Sequence, residues 1–192
     1  MTSSYRESHK QALYGAAFNF TDIRHQKYFA TCGATRVSVY MLHDDGDIEL
    51  IQCYNDEDAE EVYYTVCWTT EMDTGDPLLV AAGKTGAIKV INVRTKRLFR
   101  VLHGHTMDVN ELRVYPLDPS IIVSCSRDGS CRLWNIHTAI CCVIFGGDGG
   151  HKEQVLSCDF HNSGEVLVSS GMDHQIKIWD MVQVRPMIEL SY

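Results

Sequence analysis

The amino-acid sequence predicts an all-β chain built from repeated units of four short antiparallel strands, and three observations carry that prediction. The first is an internal repeat of about forty-five residues. Gly104-His105 opens a stretch running through Ser124, Asp128 and Trp134, and Gly150-His151 opens another through Ser169, Asp173 and Trp179. In both, serine precedes aspartate by four residues and tryptophan follows aspartate by six. The second observation is that each repeat contains four short apolar bursts divided by turn residues. The third is that no segment of any length carries helical periodicity. A unit opened by Gly-His and closed by Trp-Asp, as at Trp179-Asp180, is the signature of a WD-repeat β-propeller blade. The chain is therefore expected to be a binding platform rather than an enzyme.

Taken in order, residues 1–10 form a polar tail or loose edge strand. Repeats follow over about 11–54, 62–102, 105–145 and 151–190, giving about four blades. Aligned on the small residue before the hairpin (Gly33, Gly83, Ser126, Gly171), the tryptophan position falls at Tyr40, Ile91, Trp134 and Trp179. The intervals are seven, eight, eight and eight residues. The acidic run from Asn55 to Glu61 lies between the first two repeats, where a solvated loop is expected and a charged lip steering a basic ligand is the alternative. Turns fall at Asp118-Pro119, Asp128-Gly129 and Asn162-Ser163-Gly164. The fourth repeat's strands are expected at Val155–Phe160, Val166–Ser169, Ile176–Trp179 and Met187–Leu190. An unclosed array leaves apolar faces and strand edges bare. Either these blades belong to a longer propeller or closure comes from elsewhere.

Composition excludes several function classes. Hydrophobic content of 45% and charged content of 22% are those of a globular domain. No apolar run reaches membrane-spanning length, and the first residues lack the apolar core of a signal peptide. A net charge of −8 argues against direct DNA binding, which calls for a basic stripe, and suits a cationic partner. The eight cysteines contain no Cys-x-x-Cys pair and fall largely at apolar strand positions, so buried reduced thiols are expected.

Two sets of residues could carry chemistry. Ser124, His105 and Asp128, and likewise Ser169, His151 and Asp173, have the composition of a protease triad. Catalysis requires one activated nucleophile in a cleft with an oxyanion hole. A set occurring twice, each time with a tryptophan in register, is better explained as a buried tetrad whose members satisfy one another. The second set is aromatic. Tyr14 lies nineteen residues before Gly33, and Tyr64 nineteen before Gly83, so both hold one register at the start of the innermost strands of adjacent blades. Two such faces at the channel mouth make two walls of a cage for a quaternary ammonium; packing between blades is the alternative. No metal site is expected: His9, His25, His43, His137, His161 and His174 are scattered, and His103-x-His105 stands alone. The Gly146–Gly150 run lacks the Lys-Ser/Thr ending of a phosphate loop, so no cofactor is expected.

The stretches Leu13-Tyr14-Gly15-Ala16-Ala17-Phe18-Asn19, Asn110-Glu111-Leu112, Arg132-Leu133-Trp134-Asn135-Ile136, Ile144-Phe145-Gly146-Gly147 and Gly171-Met172-Asp173-His174 resemble the EED/ESC family. These are the WD-repeat subunits of the Polycomb histone-methyltransferase complex, and the resemblance runs from about Leu13 to Glu189. It implies a seven-bladed propeller in the nucleus that supports a histone lysine methyltransferase subunit and binds a trimethyl-lysine histone tail in transcriptional repression. It also implies that Tyr14 and Tyr64 are cage positions, the first usually phenylalanine in the family. Asn110, Arg127 and Met172 then line the channel mouth, lysine being common where Arg127 stands. The other cage aromatics are expected in a later blade outside these four. Two rival readings remain: a generic WD-repeat scaffold of ubiquitin-ligase or signalling complexes, and an enzyme using the Ser/His/Asp set.

Overall fold

The computed structural model describes residues 3–7, 10–21 and 25–192, so that His9 lies outside the described residues. The first sheet holds β1 (Gly15–Phe18), β2 (Tyr28–Gly33), β3 (Arg36–Leu42) and β4 (Ile48–Asn55). The second holds β5 (Tyr63–Thr70), β6 (Pro77–Gly83), β7 (Ile88–Asn92) and β8 (Arg97–Leu102). The third holds β9 (Val109–Val114), β10 (Ile121–Ser126), β11 (Cys131–Asn135) and β12 (Ile140–Phe145). The fourth is β13 (Val155–Phe160), β14 (Val166–Gly171) and β15 (Ile176–Asp180). Every sheet is antiparallel with its strands in chain order, and the innermost strands β1, β5, β9 and β13 adjoin one another in turn. This is an arc of four WD-repeat propeller blades.

The core lies in the three spaces between blades. Val39, Trp68, Leu79 and Ile91 fill the first, Val80, Leu112, Ile122 and Trp134 the second, and Val123, Leu133, Phe160 and Leu167 the third. Strands with a blade on each side read as continuous apolar runs because both faces are covered. Thus Pro77–Gly83 is buried at every residue, whereas Val166–Gly171 in the end blade alternates exposed and buried.

Hairpin chemistry explains the odd interval in the first repeat. Gly33 pairs directly with Arg36, leaving Ala34 and Thr35 as the loop, while in the third blade three residues separate Ser126 from Ser130. Tyr40 nevertheless pairs with Phe29 as Trp134 pairs with Ile122, so both hold the same blade position. The three-residue loops end at Gly86, Gly129 and His174, each with positive φ. Glycine adopts that conformation freely, and His174 does so under strain.

Two expectations need correction. Where a fourth strand of the last blade was expected at Met187–Leu190, the chain forms a short helix, α1 (Arg185–Glu189). Pro186 explains it: proline fits a helix's first turn but lacks the N–H a strand ladder needs. Ile188, with Met181 and Val184, buries its side chain in the third inter-blade space. The acidic run is not simply a solvated loop either. Asp56 and Glu61 are buried at its two ends, Asp56 bonded to the Tyr63 hydroxyl and to Lys89, because a buried carboxylate is tolerated when paired. At the start of the chain, where a polar tail or a loose edge strand was expected, Ser3–Glu7 carry no strand; Tyr5 meets the Tyr40 ring edge-on at 5.3 Å, and Glu7 accepts hydrogen bonds from Thr31 (2.7 Å) and Ser38 (3.4 Å). All eight cysteines are free thiols, and burial pushes Cys32 and Cys67 up to about 12.

Candidate functional site

The two polar tetrads assemble with matched geometry. Trp134 donates its indole N–H to Ser124 Oγ at 2.8 Å, Ser124 lies 2.7 Å from His105 Nε2, and His105 Nδ1 lies 2.8 Å from Asp128. In the fourth blade Trp179, Ser169, His151 and Asp173 repeat this with each link at 2.9 Å. Placing the histidine proton on Nδ1 satisfies every member: indole N–H to hydroxyl, hydroxyl to Nε2, Nδ1–H to carboxylate. Burial raises the Asp173 carboxyl, but the Lys152 amide, His151 and the Gln175 amide outweigh it and hold the group down to about 2. Asp128 is likewise held below the usual carboxylate range by His105 and Ser130. The distances are those of a catalytic triad, but both serines are buried and each hydroxyl is occupied by an indole N–H, so no substrate carbonyl can reach either one.

The first two blades fill the histidine's place with glutamate. Glu61 accepts from the hydroxyl and amide of Thr85, which stands where the third blade has Asp128, and Ala81 and Ile91 replace the serine and tryptophan. Glu7 reaches Thr31, the serine's counterpart in the first blade. The signal for Glu61 was its interval: it lies twenty-two residues before Gly83, as His105 lies twenty-one before Ser126.

At the other site the backbone itself aims the side chains. Tyr63 pairs with Gly83 and Thr65 with Ala82, leaving Tyr64 as a bulge. Asn110 is bulged between Val109 and Glu111, and Leu156 between Val155 and Ser157. A bulged residue has no partner opposite it and its side chain is re-aimed. Tyr14, immediately before β1, holds the matching place: Gly15 pairs with Cys32, and the Tyr14 N–H donates to the Cys32 carbonyl at 2.9 Å. A Cβ on Gly15 would stand 2.8 Å from Cys32 Sγ and 3.2 Å from the Tyr64 carbonyl, so glycine is what lets β1 approach β5.

That approach brings the Tyr14 and Tyr64 rings together, centroids 5.3 Å apart and planes at 82°. Tyr14 is 58% exposed and Tyr64 half-buried, so the pair lies at the surface rather than in the blade core. Burial, then the nearby Asp108 carboxylate, push the Tyr64 hydroxyl upward and keep it neutral. An outer ring comes from the hairpins: the amides of Lys84, Arg127 and Met172 donate to the carbonyls of Val62 (3.0 Å), Asp108 (2.8 Å) and Gln154 (2.9 Å). Arg127 lies 3.8 Å from the Asp108 carboxylate, and Asn110 donates to the Val155 carbonyl at 2.6 Å, tying the third blade to the fourth. Asn110 and Arg127 thus sit one blade from Tyr64, and Met172 two blades away. Lys84, Asp108 and Leu156 belong to the same mouth and were not singled out from the sequence. Among the described residues no histidine, cysteine or carboxylate cluster could hold a metal ion, and no helix is long and apolar enough to cross a membrane.

Comparison with known proteins agrees with the propeller fold. The WD domain, G-beta repeat family matches residues 96–135 and 141–180. Polycomb group protein FIE1 of Oryza sativa is 47% identical over 184 residues, 95% of this chain and 49% of the relative. Polycomb protein esc of Drosophila melanogaster is 41% identical over 175 residues, 91% of this chain and 41% of the relative. A chain of the Chaetomium thermophilum polycomb repressive complex 2 superposes with a TM-score of 0.80 at 29% identity, covering 94% of this chain and 39% of its own length. Another chain, in a structure of that complex with H3K27me3, gives 0.82 at 29% identity over 92% and 39%. The chain spans about half the length of the curated relatives it matches. By sequence and by fold it belongs to the EED/ESC family of WD-repeat Polycomb proteins.

Proposed function

We propose that these four blades are part of a non-catalytic WD-repeat scaffold of a Polycomb repressive complex. It works in the nucleus, supports a histone lysine methyltransferase subunit and uses Tyr14 and Tyr64 as two walls of a trimethyl-lysine cage for a histone tail. The observation that carries this reading is the tyrosine pair, an exposed ring and a half-buried one meeting near a right angle at the starts of adjacent inner strands. A methylated ammonium against such faces is attracted electrostatically, by about 0.5–2 kcal/mol per ring according to how far it is desolvated. Two walls give weak binding, and a third from outside these four blades is needed for useful affinity. The net charge of −8 favours approach of a cationic tail.

The test is calorimetric titration with a trimethyl-lysine peptide and its unmethylated twin, using the wild-type and Tyr64→Ala proteins. The expected result is a loss for the methylated peptide of about 2- to 30-fold, the equivalent of one ring. The unmethylated peptide should not change. Equal loss for both would mean that Tyr64 supports the fold or the peptide backbone, and the cage assignment would fall.

A further inference from the structure

A short stretch of the second blade carries more positive charge than the blade needs. Arg94, Lys96, Arg97 and Arg100 fall in the hairpin from β7 to β8 and on β8 itself, in a chain whose net charge is −8. The third blade builds the same hairpin without them. Asn92 and Asn135 cap the two turns alike, accepting from the Thr95 and Thr138 amides at 2.9 and 3.3 Å, and Lys96 and Ala139 share a left-handed φ of 58° and 61°. Asn92 pairs with Arg97 as Asn135 pairs with Ile140, and Arg100 falls where the third blade has Val143. The four basic positions are thus His137, Ala139, Ile140 and Val143 one repeat later. In the first blade the corresponding hairpin is acidic, with Asp44, Asp45, Asp47 and Glu49. Charge on an outermost strand guards it against pairing with other chains, and either sign does that. Four of one sign on one hairpin call for another reason.

The arginines are also arranged. β8 has one extra residue, Phe99, so that Arg97 lies opposite Asn92 and Arg100 opposite Val90. Val90 and Asn92 are two apart on one strand and share a face, and the bulge puts Arg97 and Arg100 on that face together. Arg100 is held in place: its Nε donates to the His137 carbonyl at 3.0 Å, and its guanidinium lies 5.0 Å from the Phe99 ring centroid. Arg94 is oriented through Nε, which donates to Asp76, while its side chain stays 63% exposed. Lys96 and Arg97 are exposed, and their side chains make no hydrogen bond or ion pair among the described residues. A groove of about 340 Å³ beside them is lined by Glu71, Asp76, Arg94, Arg97, Leu98 and Phe99. Both of its carboxylates are engaged within the protein, Asp76 by Arg94 and Asn92, and Glu71 by Thr74.

We propose that this hairpin docks a short acidic segment of a partner protein, its carboxylates taken by Arg94, Arg97 and Arg100 and its apolar side chains by Leu98 and Phe99. A guanidinium presents paired donors that match a carboxylate, and two of the three are already oriented, which lowers the entropy lost on binding. Charge complementarity identifies the ligand, and the rest of the chain limits its length. A nucleic-acid backbone long enough to be held by its phosphates would run on to acidic surface, the first blade's hairpin included. The site does not depend on how the ring closes, because the second blade has a neighbour on either side. β7 runs from the mouth hairpin to this one, so the groove lies at the far end of the sheet from Tyr64 and is independent of the methyl-lysine reading.

The probe is a fluorescein-labelled peptide of alternating Asp and Glu, read by fluorescence anisotropy at physiological salt. Its Asn/Gln twin and a single-stranded oligonucleotide of equal charge are the comparisons. The acidic peptide should bind and the twin should not. Arg97→Ala, which breaks no hydrogen bond or ion pair, should weaken binding about 2- to 5-fold, as for an exposed ion pair. Lys96→Glu with Arg97→Glu should abolish it while the circular dichroism spectrum stays unchanged. Lys177→Gln removes a positive charge from the fourth blade and should change nothing. Absence of binding, or binding that survives the double reversal, would overturn the proposal. An equal loss in Lys177→Gln would do the same, since net charge alone would then be read. So would an oligonucleotide bound more tightly than the peptide through Arg97, which would assign the site to phosphates.

Discussion

Replacing Trp134 tests whether the tetrad and the inter-blade core act as one unit. The indole is 1% exposed in the second inter-blade space, against Leu78, Val80, Leu112 and Ile122. Gly104 packs on its outer edge so closely that a Cβ there would come within 2.8 Å of the ring. The hole left by Trp134→Ala is therefore lined by strands fixed in two sheets and cannot collapse. Truncations of this kind cost about 3–5 kcal/mol. Loss of the indole N–H adds about 1 kcal/mol, since Ser124 still donates to His105 but no longer accepts. Trp134→Ala should thus cost about 4–6 kcal/mol. Trp179 is only half-buried, so Trp179→Ala should cost about 2–3 kcal/mol. Trp134→Phe keeps most of the volume and should cost about 1–2 kcal/mol. Urea midpoints followed by circular dichroism give all three values if the slope is unchanged. Equal losses for Trp134→Ala and Trp179→Ala would refute the argument from burial, and a Phe variant as weak as the Ala variant would refute the role given to volume.

Ser124→Ala strands the indole N–H and His105 Nε2 together and should cost about 1–3 kcal/mol, measured the same way. Because Asp173 is held at about 2 while an unfolded aspartate titrates near about 3.9, the folded state binds fewer protons between these values. Its contribution is complete above about pH 4 and is lost as the pH falls toward about 2, so the stability of Asp173→Asn should depend less on pH across that window. His174→Gly relieves a left-handed residue at the end of the last hairpin and should raise the midpoint, by the equivalent of up to about 1 kcal/mol of stability, against the greater unfolded freedom of glycine. A lower midpoint would mean that the histidine side chain has a partner outside its own hairpin.

The blades and tetrads were legible because they rest on fixed intervals between chemically distinctive residues: the serine to aspartate to tryptophan spacing spans a single hairpin, so it is untouched by the length of the other loops. The features that were not legible have physical reasons too. Asn110 and Leu156 share Tyr64's bulge, but they lie sixteen and fifteen residues before their hairpins rather than nineteen, since the loops between strands differ. Counting alone could not align them. Glu61 was hidden in a charge run that composition reads as solvated, and the Thr85 and Lys89 that make its burial tolerable come from the next hairpin and strand. Met187–Leu190 looked like a strand because a short apolar burst suits either a strand or a packed helical turn; Pro186 was the overlooked signal.

The bulges also make the channel mouth interchangeable. Each slot is held open by backbone pairing on either side, and its occupant is tyrosine, tyrosine, asparagine or leucine without any change in the frame. On the proposed reading, what the mouth recognises is written in a few side chains, while the blades beneath are written in tetrads and packed spaces that owe little to recognition. Such a division lets a lineage rewrite its ligand one slot at a time. An aromatic at Asn110 would extend the existing corner by one blade, the only local loss being the bond from Asn110 to the Val155 carbonyl.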